Sequence, residues 1–279
     1  MELVTRNHRL GFPRRPLIMG IVNLVADSFS GDGIVEIERA VAHARELVAQ
    51  GADCIDIGAE SARTNRAPIS EQEEADQLCA FIEAWQEPVP LSINTWRPGV
   101  ARAALETGGD LLNDIGALPT DENARICART GAALLIMHSV GEPKVPHTHV
   151  GYRDVMEELE AFFEAKLAMA EAAGVPRNAI VLDPGIDFAK QRADNLRIYR
   201  ELRRLERFDR PILLPVSRKT VIGDVLGLKD PTQRDAGTVA CIVHGMLQGA
   251  HIFRVHNVRA AAQTVRMIDA VEKAGAALA

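Results

Sequence analysis

The chain has 279 residues, 32 basic against 38 acidic, a formal charge of -6, and is 47% hydrophobic. That balance excludes a disordered chain, which lacks the apolar material to offset chain entropy. The mild acidity and an aromatic content of 4% speak against a nucleic-acid binder. No apolar run approaches the roughly 18 residues that span a bilayer. The N-terminus carries Arg6, Arg14 and Arg15 but no apolar core with a small-residue cleavage site, so it does not read as a secretory signal. Cys54, Cys79, Cys127 and Cys241 lie far apart with no CxxC pair, as expected of free thiols in a reducing cytoplasm.

Residues 1–15 read as an N-terminal leader or a cap over one end of the fold. From Leu17 the sequence alternates short apolar runs with longer amphipathic stretches. The runs are Leu17–Val22, Cys54–Ile57, Val89–Ile93, Leu111–Leu112, Ala133–Met137, Ile180–Leu182, Ile212–Leu214 and Ile252–Val255. Helical spacing is plain in Glu36–Gln50, where Ile37, Val41, Ala44, Leu47 and Val48 share a face, and Tyr152–Ala173 is a second such stretch. Gly51, Gly131, Gly174 and Gly249 each end a helical stretch before a strand, as C-caps do. Eight strands alternating with helices predict parallel βαβ units closed into an α/β (β/α)8 TIM barrel, one domain over 16–279. An open doubly wound sheet is the alternative. It would carry a Gly-rich dinucleotide fingerprint after the first strand, and there is none.

In such a barrel the active site is built from the loops at the carboxyl ends of the strands. After the first strand come Asn23 and then Asp27-Ser28-Phe29-Ser30. After the second come Asp56, Gly58, Glu60, Ser61 and Arg63. Asn94 and Thr95 come after the third, Asn113 and Asp114 after the fourth, His138 after the fifth, and Asp183-Pro184-Gly185 after the sixth. Ser217-Arg218-Lys219-Thr220 lies beyond the seventh, and Arg254 and His256 lie at the eighth. Singly, several have plain readings: Asp183-Pro184-Gly185 as a turn, Asn113-Asp114 as a helix cap, His138 as a hydrogen-bonded rim residue, Glu60 and Arg63 as a surface ion pair. Arg254 and His256 alternate on one strand and so share a face. Facing out they would be structural; facing in at the mouth they make an anion site. Ser217–Thr220 opens a helix whose N–H groups also favour anions. His147 and His149 lack the partners a zinc site needs, whereas an amide and carboxylate mouth beside a diphosphate suits Mg2+. No G-x-S-x-G elbow supports a serine hydrolase.

Taken together, these segments resemble the dihydropteroate synthase family over nearly the whole chain. The matching stretches are Ile18–Asn23 with Asp27–Ser30; Asp56–Gly58 with Glu60, Ser61 and Arg63; Leu91–Thr95; Asn113–Ile115; Met137-His138; Leu182–Gly185; Ser217–Lys219; and Arg254–His256. The pterin-binding domains of corrinoid methyltransferases share the same barrel. The resemblance implies condensation of 6-hydroxymethyl-7,8-dihydropterin diphosphate with p-aminobenzoate, with release of pyrophosphate. It implies that Asn94, Asn113, Asp183 and Lys219 line the pterin pocket. Asn23, Arg63, Arg254 and His256 would hold the diphosphate, with Asn23 on its Mg2+. Phe29, Phe188, Ser217 and Thr220 would border p-aminobenzoate. Asp27, Arg63, Lys219, Arg254 and His256 would serve catalysis, and the first two loops, carrying Asp27, Phe29 and Arg63, would close over the site. A homodimer is implied too.

The departures fall at the site. Asn94 stands where the family has Asp, and Leu24-Val25-Ala26 leads to Asp27 where the family has a Thr-Pro. Gly31-Asp32-Gly33 replaces the order Asp-Gly-Gly. Ala62 replaces Thr and Thr64-Asn65 replaces Pro-Gly. Asp187 and Ala189 flank Phe188 in place of glycines, and Asn257 replaces Asp. The altered p-aminobenzoate border implies changed tolerance of sulfonamides. The alternative to a synthase is a paralogue that keeps the pterin and diphosphate pockets but uses another nucleophile, or only binds a pterin.

Overall fold

A computed structural model of the chain describes residues 1–24, 33–60, 68–145 and 150–276. A two-stranded antiparallel hairpin comes first, β1 (Glu2–Val4) and β2 (Arg9–Gly11). The chain then alternates through β3 (Leu17–Asn23), α1 (Gly33–Gln50), β4 (Cys54–Gly58), α2 (Glu71–Ala84), β5 (Leu91–Asn94), α3 (Pro98–Thr107), β6 (Leu111–Asp114) and α4 (Glu122–Thr130). It continues through β7 (Ala133–Met137), α5 (Val155–Ala172), β8 (Ile180–Asp183), α6 (Arg192–Glu201), β9 (Leu213–Pro215), α7 (Thr220–Leu226), α8 (Asp235–Leu247), β10 (Ile252–Val255) and α9 (Val258–Ala276). Strands β3 to β10 form one parallel 8-stranded sheet in the order β8-β7-β6-β5-β4-β3-β10-β9. A parallel bridge from Leu182 to Ile212 joins its two ends. This is the expected TIM barrel.

All eight predicted strands form, and the differences lie at their ends. Val89–Ile93 shortens to Leu91–Asn94 because Pro90 has no N–H; its carbonyl instead accepts from Ile55 N at 3.0 Å. Several strands extend past the apolar run by a polar residue: Asn23, Asn94, Asn113-Asp114 and Asp183. Helix α5 starts at Val155 rather than Tyr152, because the Asp154 carboxylate caps it by accepting from Met156 N and Glu157 N. The strands are buried on both faces, so their apolar runs are continuous rather than alternating.

The hairpin closes the N-terminal ends of the barrel strands. Its Leu3 joins the core at 2% exposure. Asn7 Nδ2 donates to Asp110 at 3.0 Å, immediately before β6. Arg15 makes a two-pronged pair with Asp53 at 3.0 and 2.8 Å, immediately before β4. Asp53 and Asp110 also accept from the main-chain N–H of Ile18 and Leu91. Among the described residues no helix is long and apolar enough to cross a membrane.

Contacts at that end should matter to stability and not to ligand binding. Asp110→Ala leaves the Leu91 N–H buried without its acceptor, a loss of about 1–3 kcal/mol. Denaturant unfolding should show a lower midpoint with an unchanged slope, while ligand affinity at the opposite end stays at the unsubstituted value.

Candidate active site

The carboxyl ends of the strands open into one cavity of about 850 Å³. Every barrel strand contributes to its wall: Asn23, Gly58, Asn94, Asn113, Met137, Asp183, Pro215 and Arg254 from β3 to β10 in turn. Phe188, Ser217, Lys219, Thr220 and His256 complete it from the loops. The structure thus gathers into one cavity every expected site residue that it describes. Asp27, Phe29 and Arg63 lie outside the described residues, as do His147 and His149.

The floor is organised by Asp56, which is wholly buried on β4. Its Oδ1 accepts from Ser92 Oγ at 2.6 Å and Asn113 Nδ2 at 3.1 Å. Its Oδ2 accepts from Arg254 Nε at 2.6 Å and Asn94 Nδ2 at 3.4 Å. Arg254 therefore faces inward, as the anion-site reading requires, and is held by a carboxylate two strands away, beyond β3. A buried carboxylate is tolerable only with such partners.

On the opposite wall Asp183, 3% exposed, accepts from Gly185 N at 2.7 Å. Burial pushes its carboxyl up to about 6, against the pull of Lys219, Lys190 and Arg254. Gly185 has φ +66°, and a Cβ there would collide with the His138 carbonyl, so only glycine fits. His138 is not a rim residue. It is 1% exposed, its ring edge-on to Phe162 at 4.7 Å, and Lys190 Nζ donates to its Nδ1 at 2.8 Å. Burial and Lys190 bring its pKa down to about 3, so the ring is neutral. Burial likewise brings Lys190 down to about 7.

Lys190 Nζ also donates to Phe188 O at 3.0 Å and so pins the loop that carries Phe188. In that loop Asp187 has φ +69° and Ala189 φ +50°. A left-handed backbone costs a non-glycine residue roughly 1–2 kcal/mol. Asp187 offsets this by accepting from Thr220 N and Val221 N at the start of α7, and from Asn195 Nδ2 at 3.3 Å. The anion expected at that helix start is thus the protein's own carboxylate.

Lys219 Nζ donates to Ile186 O at 2.8 Å and lies 5.1 Å over the Phe188 ring, a cation–π contact. Its loop is held by Arg234, 8% exposed, whose guanidinium donates to the carbonyls of Arg218, Lys219, Leu228 and Lys229. Ser217 Oγ accepts from His256 N at 3.1 Å and pairs with His256 Nδ1 at 2.8 Å. Asn257 Nδ2 donates to Asp235 at 2.9 Å, and Asp235 pairs with Arg218 at 2.8 Å. At the edge of the second loop Glu60 pairs with Arg97 at 3.5 Å and with Lys144, and Arg97 pairs with buried Glu74 at 2.9 Å.

Sequence reasoning assigned no role to Asp56, Lys190, Arg234 or Asp187. Asp56 sits inside an apolar run, where an isolated charge between Ile55 and Ile57 is itself the signal of a buried, partnered carboxylate. Lys190 and Arg234 carry no comparable local signal. Among the described residues no group of three or more His, Cys, Asp or Glu side chains could hold a metal ion.

The family model described as "Pterin binding enzyme" matches residues 19–256. A dihydropteroate synthase of Synechocystis sp. is 38% identical over 262 residues, covering 92% of this chain and 91% of that protein. Two solved structures of Thermus thermophilus dihydropteroate synthase, one in complex with 6HMPPP and one with 4-aminobenzoate, superpose with TM-scores of 0.82 and 0.84. Each is 36% identical and covers 97% of this chain and 99% of its own. The chain belongs to the dihydropteroate synthase family of pterin binding enzymes.

Proposed function

We propose that the chain joins 6-hydroxymethyl-7,8-dihydropterin diphosphate to p-aminobenzoate, giving 7,8-dihydropteroate and pyrophosphate, a transferase step of folate synthesis. The observation that carries this is a single cavity with amide and carboxylate walls (Asn94, Asn113, Asp183) beside a rim that carries the Arg254 guanidinium and the His256 ring. A pterin edge and a diphosphate need those two surfaces side by side. A protein that only bound a pterin would have no use for the second.

In the reaction the bond from the pterin methylene to the diphosphate oxygen breaks, and the electron pair leaves with the diphosphate. The arylamine nitrogen bonds to the methylene carbon and gives up a proton. The pterin ring stabilises positive charge on that carbon, so the residues have two tasks. Arg254 and His256 meet the charge that grows on the departing oxygens, in a site where such donors act more strongly than in water. Asp183, Asn113, Asn94 and Lys219 fix the ring, and Phe188 with Ser217 and Thr220 borders the incoming amine. Arg63, Asp27 and Phe29 would complete the cover that keeps water from the reactive carbon. Asn23, at the end of β3 on the cavity wall, offers one amide oxygen. That donor set suits a Mg2+ ion whose remaining ligands are diphosphate oxygens and water, rather than one caged by protein. When bound, the ion would neutralise diphosphate charge. We read the protein as cytoplasmic, in keeping with its free cysteines. We also read it as a homodimer, in keeping with exposed Val225, Leu226 and Leu247 on α7 and α8. The changed border of the amine subsite supports altered sulfonamide tolerance.

The direct test is pyrophosphate release from the pterin diphosphate with and without p-aminobenzoate. Aryl-dependent turnover is expected; tight pterin binding with no such turnover would replace this reading with the paralogue. Arg254→Ala should weaken pyrophosphate binding by about 10- to 100-fold, the worth of a charge-assisted bond. Bare pterin should lose far less in the same calorimetric titration, and equal losses would remove Arg254 from the diphosphate site. Asp183 gives a pH dependence. Below about 6 its carboxyl is protonated and presents an O–H where the ligand needs an acceptor. Pterin affinity should therefore fall about tenfold per pH unit below that value, and Asp183→Asn should flatten the profile.

A further inference from the structure

Asp56 does not line the cavity, yet it decides what the cavity wall offers. A carboxylate oxygen only accepts. Asn94 and Asn113, on neighbouring strands paired at Asn94↔Asn113, each turn the Nδ2 group toward it. Both side-chain carbonyls must then face the other way. Asn113, 2% exposed, has its Oδ1 buried with no hydrogen-bond partner, and both residues line the cavity. A buried carbonyl without a partner is costly, so it is an acceptor waiting for a ligand's donor. Ser92 Oγ and Arg254 Nε take the remaining positions on Asp56.

We infer that Asp56 is a positioning residue that sets the hydrogen-bond polarity of the pterin pocket, locking Asn94 and Asn113 as acceptors and so selecting a heterocycle with a 2-amino group. This rests on the pterin reading of the site. The pocket presents Asn94 Oδ1, Asn113 Oδ1 and the Asp183 carboxylate. A 2-amino-4-oxo ring places its amino group and N3–H side by side as donors against them. A 2,4-dioxo ring sets a carbonyl against a carbonyl. The amide at position 94 thereby acquires a reason. It donates to Asp56 and accepts from the ligand at once, which a carboxylate cannot do without placing like charges 3.4 Å apart.

The test is the ratio of dissociation constants for 6-hydroxymethylpterin and its 2,4-dioxo counterpart, a lumazine, measured by calorimetry on the full chain. The unsubstituted protein should prefer the pterin by about 100-fold or more, as sites built around a ligand's donor do. In Asp56→Asn the introduced amide can donate to Asn113, whose side chain then turns its own NH2 to the ligand. The preference should collapse by about 10- to 100-fold, chiefly through weaker pterin binding. Asp56→Ser, smaller and able to donate or accept, should lose the same preference and serves where the amide variant fails to fold. A merely structural role would lower both affinities together and keep the ratio, and that result overturns the inference. So does an unsubstituted protein that binds both rings equally. An unsubstituted protein that binds neither ring overturns the functional reading beneath it.

Discussion

A carboxylate enclosed in the middle of a barrel has to be met by donors from every side, and that requirement shapes the whole site. Asp56 draws Ser92 and Asn94 from the adjacent strand β5, Asn113 from β6 beyond it, and Arg254 from the far side of β3. Removing one member of a buried charge pair leaves the other uncompensated, typically at about 3–5 kcal/mol. The arrangement is therefore all or nothing. It ties the amide wall of the cavity to its guanidinium, because the same carboxylate orients the amides that would face the ring and the guanidinium that would face the phosphates.

The barrel separates this demand from its own stability. At the N-terminal strand ends, Asp53 and Asp110 are spent on main-chain N–H groups, on Asn7 of the hairpin and on Arg15 in the segment after it. At the carboxyl ends, polar side chains are held by other side chains and left with functional atoms turned to the cavity. The loop after β8 shows how far the site bears strain for position. Asp187 and Ala189 accept left-handed backbones so that Phe188 stands where Lys219 can lie over it. Lys190 and Asp187 supply the bonds that hold them there.

Much of this was legible in the residues. The eight apolar runs located every strand, because a parallel barrel strand buried on both faces must be continuously apolar. The runs stopped short at Asn23, Asn94, Asn113 and Asp183 because those residues, though still on strands, are polar and line the cavity; the mismatch between run and strand marks the cavity wall. Partnerships were not legible. Asp56 and Arg254 are 198 residues apart, and nothing in either neighbourhood announces the pair. The start of α7 read as a place for a ligand anion, and only the fold brings Asp187 onto it. His138 read as a rim residue because its burial depends on Phe162 and Lys190, which come from distant segments.

One buried carboxylate gives the pocket its acceptor face and its cationic rim together. A crystal structure of the unsubstituted chain with 6-hydroxymethylpterin and pyrophosphate tests this most directly. The pterin amino edge is predicted within hydrogen-bond reach of Asn94 Oδ1, Asn113 Oδ1 and Asp183, with Asp56 still on both amide nitrogens and pyrophosphate against Arg254 and His256. A ring seated elsewhere, or amides rotated to present Nδ2 to the ligand, would contradict it.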